Sequence, residues 1–291
     1  MAAVFDNNNE FQITSIQCKN VAGVDIIHFD EAKHALRTER PLKLRTVRLP
    51  NDMIVTVQAG IPNVGQHKVA ILYCAGLGSC VKDPALQAMK FLSQGTFGRD
   101  DNLLIISYWN AYDNDNRFNF GGPADVALLY HVFQYLMRRQ PNLQKVILYG
   151  SCSGAKIILH FLSAYAEDPA LSVVKGAVLD SPPLDLERSL SRYMTGLYTL
   201  TTWFYFRHYV NPRSNALQFR KFPKHVRLFW SVIQGDKLAD YDDVRAMAIH
   251  LSQFSDHNST LFVAAPYSVK HGCVAKLRTH CHHVNEFYQT L

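Results

Sequence analysis

The ten residues Val146-Ile147-Leu148-Tyr149-Gly150-Ser151-Cys152-Ser153-Gly154-Ala155 leave this chain few folds to choose from. A β-favouring apolar run ends in Gly-x-Cys-x-Gly, and a helical pattern follows at once, from Gly154 to Ala166. A strand that turns directly into a helix brings two backbones close together. Glycines two before and two after the central residue remove the side chains that would collide there. Cys152 is thereby displayed at the tip of the turn. Unpaired backbone N–H groups and the dipole of the following helix favour its thiolate, which makes it a candidate nucleophile.

Around this stretch, short apolar runs alternate with longer helical patterns, and that alternation defines an α/β protein whose mostly parallel sheet is covered on both faces. Pro50-Asn51-Asp52 separates the runs 42–49 and 53–59 with turn chemistry suited to an antiparallel hairpin at a sheet edge. The buried strands are expected at 69–74, 103–107, 145–149, 176–180, 226–233 and 260–265. Helices are expected after Asp83-Pro84, from Pro123 to Arg139, from Gly154 to Ala166, from Tyr241 to Phe254 and from Val274 to Tyr288. Residues 1–40 fit none of this and read as an N-terminal extension with no assigned role.

Composition enters at three points. With 48% hydrophobic and 19% charged residues in 291, the chain has the content of one large folded core rather than of a disordered segment. No apolar stretch approaches the ~18 residues of a membrane span, and Met1–Glu10 lacks the basic flank and apolar core of a secretory signal, so a cytoplasmic protein is expected. Its six cysteines form no C-x-x-C pair and are expected as free thiols. The net charge of +6 is concentrated. Residues 186–225 hold seven Lys and Arg against Glu187 alone, together with nine aromatic residues, and about 186–224 reads as an inserted cap or lid.

In these features the chain resembles the α/β-hydrolase superfamily over roughly residues 41–291. Ile71-Leu72-Tyr73-Cys74-Ala75-Gly76-Leu77-Gly78-Ser79 is similar to the family's His-Gly loop, with Cys74-Ala75 as a departure just before Gly76. The resemblance implies an oxyanion hole from the backbone N–H groups of Leu77 and Ser153. Asp180, in Leu179-Asp180-Ser181-Pro182-Pro183, falls on the strand leading to the cap, a position that borders the pocket. After the cap, Asp236-Lys237-Leu238-Ala239-Asp240 resembles the Asp-x-Leu-x-Asp form of some esterase branches, although the commoner family form would put its acid where Leu238 stands. Asp236 is the preferred acid. Asp240 is the competitor, with a simpler role as cap of the next helix. The resemblance puts the catalytic histidine after the last strand, at His271 beside Gly272.

These residues imply hydrolysis of an ester or thioester through a Cys152-His271-Asp236 triad and a covalent acyl-enzyme. Because that intermediate is itself a thioester, acyl transfer to another acceptor is an open alternative. A catalytically silent binding module is a second, suggested by Leu238. Cysteine elbows also occur in dienelactone hydrolases and polyhydroxyalkanoate synthases, which the chain resembles in that feature only. No cofactor is implied. His280, Cys281, His282 and His283 have metal-binding side chains, but they lie on a terminal helix with no clear third ligand, so no metal is expected. The expected partner is a small-molecule or carrier-bound acyl substrate, with the basic aromatic cap suited to an anionic donor or peripheral membrane contact. Aromatics mixed with arginines would permit single-stranded nucleic-acid binding, but with no recognised module or long basic stripe no nucleic acid is expected.

Overall fold

A computed structural model describes residues 68–74, 76, 123–185, 189, 219, 221–256, 259–265, 271, 274 and 277–291, together with the backbone of strands at 14–18, 43–48, 54–59 and 103–108. Among the described residues, nine strands form one sheet: β1 (Thr14–Cys18), β2 (Lys43–Arg48), β3 (Ile54–Ala59), β4 (Val69–Cys74), β5 (Leu103–Tyr108), β6 (Lys145–Ser151), β7 (Val174–Asp180), β8 (Arg227–Ile233) and β9 (Thr260–Ala264). Their spatial order is β1-β9-β8-β7-β6-β4-β5-β3-β2. Pairing is parallel from β1 through β5, while β3 runs antiparallel to both β5 and β2 in the edge hairpin. The long helices are α1 (Pro123–Arg139), α2 (Ser153–Ala164), α3 (Tyr241–Ser252) and α4 (Arg278–Gln289), and a 3-10 turn covers Pro169–Val173.

Period-two alternation sorts the strand residues between two cores. Val146 and Leu148 of β6 pack with α1 and α2 on one face, beside Leu72, Leu179 and Trp230. Ile147 and Tyr149 point to the other, beside Tyr73, Val178, Phe229 and the α4 residues Val284, Phe287 and Tyr288. Since both faces are buried, the strands read as continuous apolar runs rather than as polar–apolar alternation.

Two differences from expectation go beyond a residue or two at an element's end. Residues 14–18, inside the segment set aside as an extension, form the edge strand β1, paired in parallel with β9 from Thr14↔Thr260 to Cys18↔Ala264. Their sequence, Thr-Ser-Ile-Gln-Cys, carries little apolar signal, and the pairing is long-range. The last helix begins at Arg278 rather than at Val274, whose N–H is donated to Asp180 instead. The expected helix after Asp83-Pro84 and nearly all of the cap segment lie outside the described residues.

Candidate active site

The elbow is built where β6 meets α2. Cys152 sits between them at φ 53° and ψ −121°, in the left-handed half of backbone space that non-glycine residues seldom occupy. Its N–H donates to the Asp180 carbonyl at 2.8 Å, and its own carbonyl accepts the first bonds of α2, from Ala155 and Lys156. The need for Gly150 is direct: a Cβ there would lie 2.5 Å from both Cα and N of Ala155. Ser153, the first residue of α2, precedes those first helical bonds, so its N–H belongs to the unpaired set at a helix start. None of Cys74, Cys152 and Cys281 is in a disulfide; Cys152 is partly exposed, whereas Cys74 and Cys281 are buried. Leu77, the other expected oxyanion donor, lies outside the described residues.

The structure brings His271 to Asp236. Nδ1 of the imidazole and Oδ2 of the carboxylate are 2.6 Å apart, with side chains 20% and 4% exposed. The other carboxylate oxygen, Oδ1, accepts from the N–H groups of Leu238 at 2.9 Å and Ala239 at 3.3 Å. Leu238, at the common family position for an acid, therefore helps to orient the acid that stands two residues earlier. Asp240 is occupied elsewhere: its Oδ1 accepts from the N–H groups of Asp242 and Asp243 and caps α3.

With Nδ1 taken by Asp236, Nε2 is the ring nitrogen left for the thiol. It is buried, and the Cys152 side chain stands near enough to favour its protonation. Burial disfavours the imidazolium, but the Asp236 hydrogen bond, followed by the influence of Cys152, outweighs it and raises the His271 pKa to about 11. The three groups lie beyond the carboxyl ends of β6, β8 and β9, the edge at which open parallel sheets bind ligands.

Two features of the site were not assigned from sequence. Asp180 does not simply border a pocket: it is fully buried, and its Oδ2 accepts from the N–H of Val274 at 3.1 Å. Lys156, one turn beyond Cys152, is 1% exposed, and burial, partly opposed by Asp185, lowers its pKa to about 8. The only sequence signal for either is a charged residue in an otherwise apolar run. Of the cap aromatics, Phe219 and Phe222 are described, and both pack into the core, Phe219 edge-on to His160 of α2. His280 and His283 are packing residues of α4, bonded to Ser231 and Glu286. Among the described residues no group of three or more His, Cys, Asp or Glu is placed to hold a metal.

No family model matches the chain, and no curated protein matches it at significant similarity. Solved structures do. An esterase of Pyrococcus furiosus superposes with a TM-score of 0.62 at 15% identity, covering 94% of this chain and 99% of its own. An esterase of Pyrobaculum calidifontis gives 0.64 at 17% identity, with 90% of each chain covered. A Xanthomonas campestris protein described as an α/β serine hydrolase without a lid gives 0.54 at 14%, covering 85% of this chain and 95% of its own. At such identities the likeness is one of fold, and the fold is that of the α/β-hydrolases. No helix among the described residues is long and apolar enough to cross a membrane.

Proposed function

We propose that this protein hydrolyses an ester or thioester through Cys152, His271 and Asp236. The observation that carries the reading is the 2.6 Å His271–Asp236 bond, formed at the same sheet edge as a partly buried cysteine held at positive φ. His271 takes the Sγ proton on Nε2, and Asp236 keeps Nδ1 protonated and stabilises the resulting imidazolium. The thiolate attacks the acyl carbonyl carbon, and the oxyanion is received by the Ser153 N–H, with Leu77 as the second donor. As the tetrahedral intermediate collapses, the C–O or C–S bond to the leaving group breaks and His271 returns its proton to the departing alcohol or thiol. Water, deprotonated by His271, then attacks the Cys152 thioester; the C–Sγ bond breaks, the acid leaves, and His271 returns the proton to Sγ.

The neighbours named esterases, and the one described as a serine hydrolase, support an ester-type reaction. What favours a second reading is the cysteine itself. A thioester intermediate retains group-transfer potential, so an alcohol or amine acceptor can replace water. The basic, aromatic composition of residues 186–224 supports an anionic acyl donor or contact with an anionic membrane surface, in a cytoplasmic setting. The test is intact mass after brief exposure to p-nitrophenyl esters and acyl-CoA of several chain lengths. An acyl adduct on wild type that is absent from Cys152→Ala is expected. Equal labelling of the two would overturn the nucleophile, and adduct turnover accelerated by an added acceptor would favour transfer over hydrolysis.

A further inference from the structure

We propose that Asp180 is the positioning residue that sets the elbow and the histidine loop relative to each other, an inference that rests on the Cys152–His271 reading above. Asp180 ends β7, next to the elbow strand, in register with Ser151. It is 0% exposed. A carboxylate so far from water is costly unless its lone pairs are met, so its hydrogen bonds define what it is there to do.

Those bonds go in two directions. The main-chain carbonyl of Asp180 accepts the N–H of Cys152 at 2.8 Å, which fixes the peptide entering the elbow. Its side-chain Oδ2 accepts the N–H of Val274 at 3.1 Å, across 94 residues of sequence. Val274 is fully buried and stands three residues after His271, in the connection between β9 and α4. A single residue therefore grips the backbone on both sides of the proposed proton transfer, one through its peptide and the other through its side chain.

The side chain is itself braced. Oδ1 accepts the Ser181 hydroxyl at 2.8 Å, and the Ser181 N–H donates to the carbonyl of Ser231 in β8 at 2.8 Å. Ser181 holds φ at 51°, a second left-handed position beside that of Cys152. Such strain persists only where the surroundings over-determine it, and here it turns the chain so that hydroxyl and carboxylate meet. His271 Nδ1 is held by Asp236, so the role assigned to Asp180 is placement of the two backbones. An asparagine retains an acceptor of the same shape for Val274, but a neutral one, and charge-assisted bonds are the stronger kind. Alanine retains none.

The test is the pH dependence of Cys152 alkylation by iodoacetamide in the full chain, read by intact mass, with Cys152→Ala supplying the background of the other cysteines. Steady-state kinetics on the best p-nitrophenyl ester run beside it. His271→Ala is expected to slow Cys152 alkylation and change its pH dependence, because the thiol loses the base that takes its proton. If it leaves the profile unchanged, the Cys152–His271 reading fails, whatever Asp180 does. With that control met, Asp180→Ala is expected to alkylate about tenfold more slowly at pH 6, and to lose about ten- to a hundredfold in kcat with KM within about twofold, the pattern of a misplaced catalytic pair. Asp180→Asn is expected to fall between, with a loss of about threefold. A wild-type profile and kcat in folded Asp180→Ala would overturn the proposal. Should the alanine variant not fold, the same result in Asp180→Asn overturns it.

Discussion

His271 and His280 are nine residues apart and meet opposite fates. At the sheet edge, His271 is raised to about 11, because its burial is outweighed by the Asp236 hydrogen bond and by Cys152. On the buried face of α4, His280 is lowered to about 3 by burial, with His283 adding repulsion. Its Nε2 is 2.9 Å from the Ser231 hydroxyl, and its ring packs against Phe229 and Phe262. Burial alone drives a histidine neutral. The same dry surroundings strengthen its charged form once a carboxylate is within hydrogen-bond reach, because Coulomb attraction grows as the dielectric falls. One region is thus arranged to hold a proton and the other to exclude one.

The sharpest way to break this contrast is to remove the proton carrier. His271→Ala is expected to lower kcat on an activated ester by about ten-thousandfold, whereas His280→Gln, which keeps a polar partner for Ser231, leaves kcat near wild type. Asp236→Asn removes the charge but not the bulk. It should lower the His271 pKa from about 11 towards the ordinary range, followed by NMR of the imidazole, and reduce kcat by about a hundredfold or more. Both outcomes are read from initial rates on folded protein.

Glycines extend the comparison to the backbone. Gly150→Ala sets a methyl against the Ala155 backbone at 2.5 Å, where nothing can yield without moving α2, and is expected to cost about 2 kcal/mol in chemical denaturation. Stability against pH separates the two histidines. His280, depressed in the folded state, contributes fully above its unfolded value of about 6.5, and its contribution declines as pH falls from there towards about 3. His271, raised in the folded state, contributes fully below about 6.5, and its contribution declines as pH rises towards about 11. Each slope reaches at most about 1.4 kcal/mol per pH unit. Urea midpoints should lose the acid-side slope in His280→Gln and part of the alkaline-side slope in Cys152→Ala. The smallest effect belongs to Gly176→Ala. Its methyl would meet the Leu291 side-chain ends at 2.8 and 2.9 Å and Phe287 at 3.0 Å, and because the far end of a leucine side chain can swing aside, a loss below about 1 kcal/mol in the same denaturation is expected.

Much of the sheet was legible because two-sided burial writes itself as continuous apolar runs, as in Val69–Cys74 and Arg227–Ile233. The elbow was legible for a local reason, the glycine spacing around Cys152. β1 was not, since Thr14–Cys18 is held by pairing with β9 nearly 250 residues away along the chain, and an edge strand needs little apolar content. The start of α4 was misplaced because Val274 is apolar enough to continue a helical pattern, while a carboxylate from β7 holds its N–H.

The sequence alone determined the alternation of strands and helices, and a cysteine displayed on a strand-to-helix turn. These depend on side-chain periodicity and on the absence of Cβ atoms, which are local properties. Tertiary structure placed Asp236 rather than Asp240 against His271, set the Leu238 N–H on the Asp236 carboxylate, and gave Asp180 its hold on Val274. Those outcomes depend on which backbone N–H groups and ring nitrogens reach a carboxylate across 35 or 94 residues of chain. Only the closed sheet brings such partners within 3 Å or so.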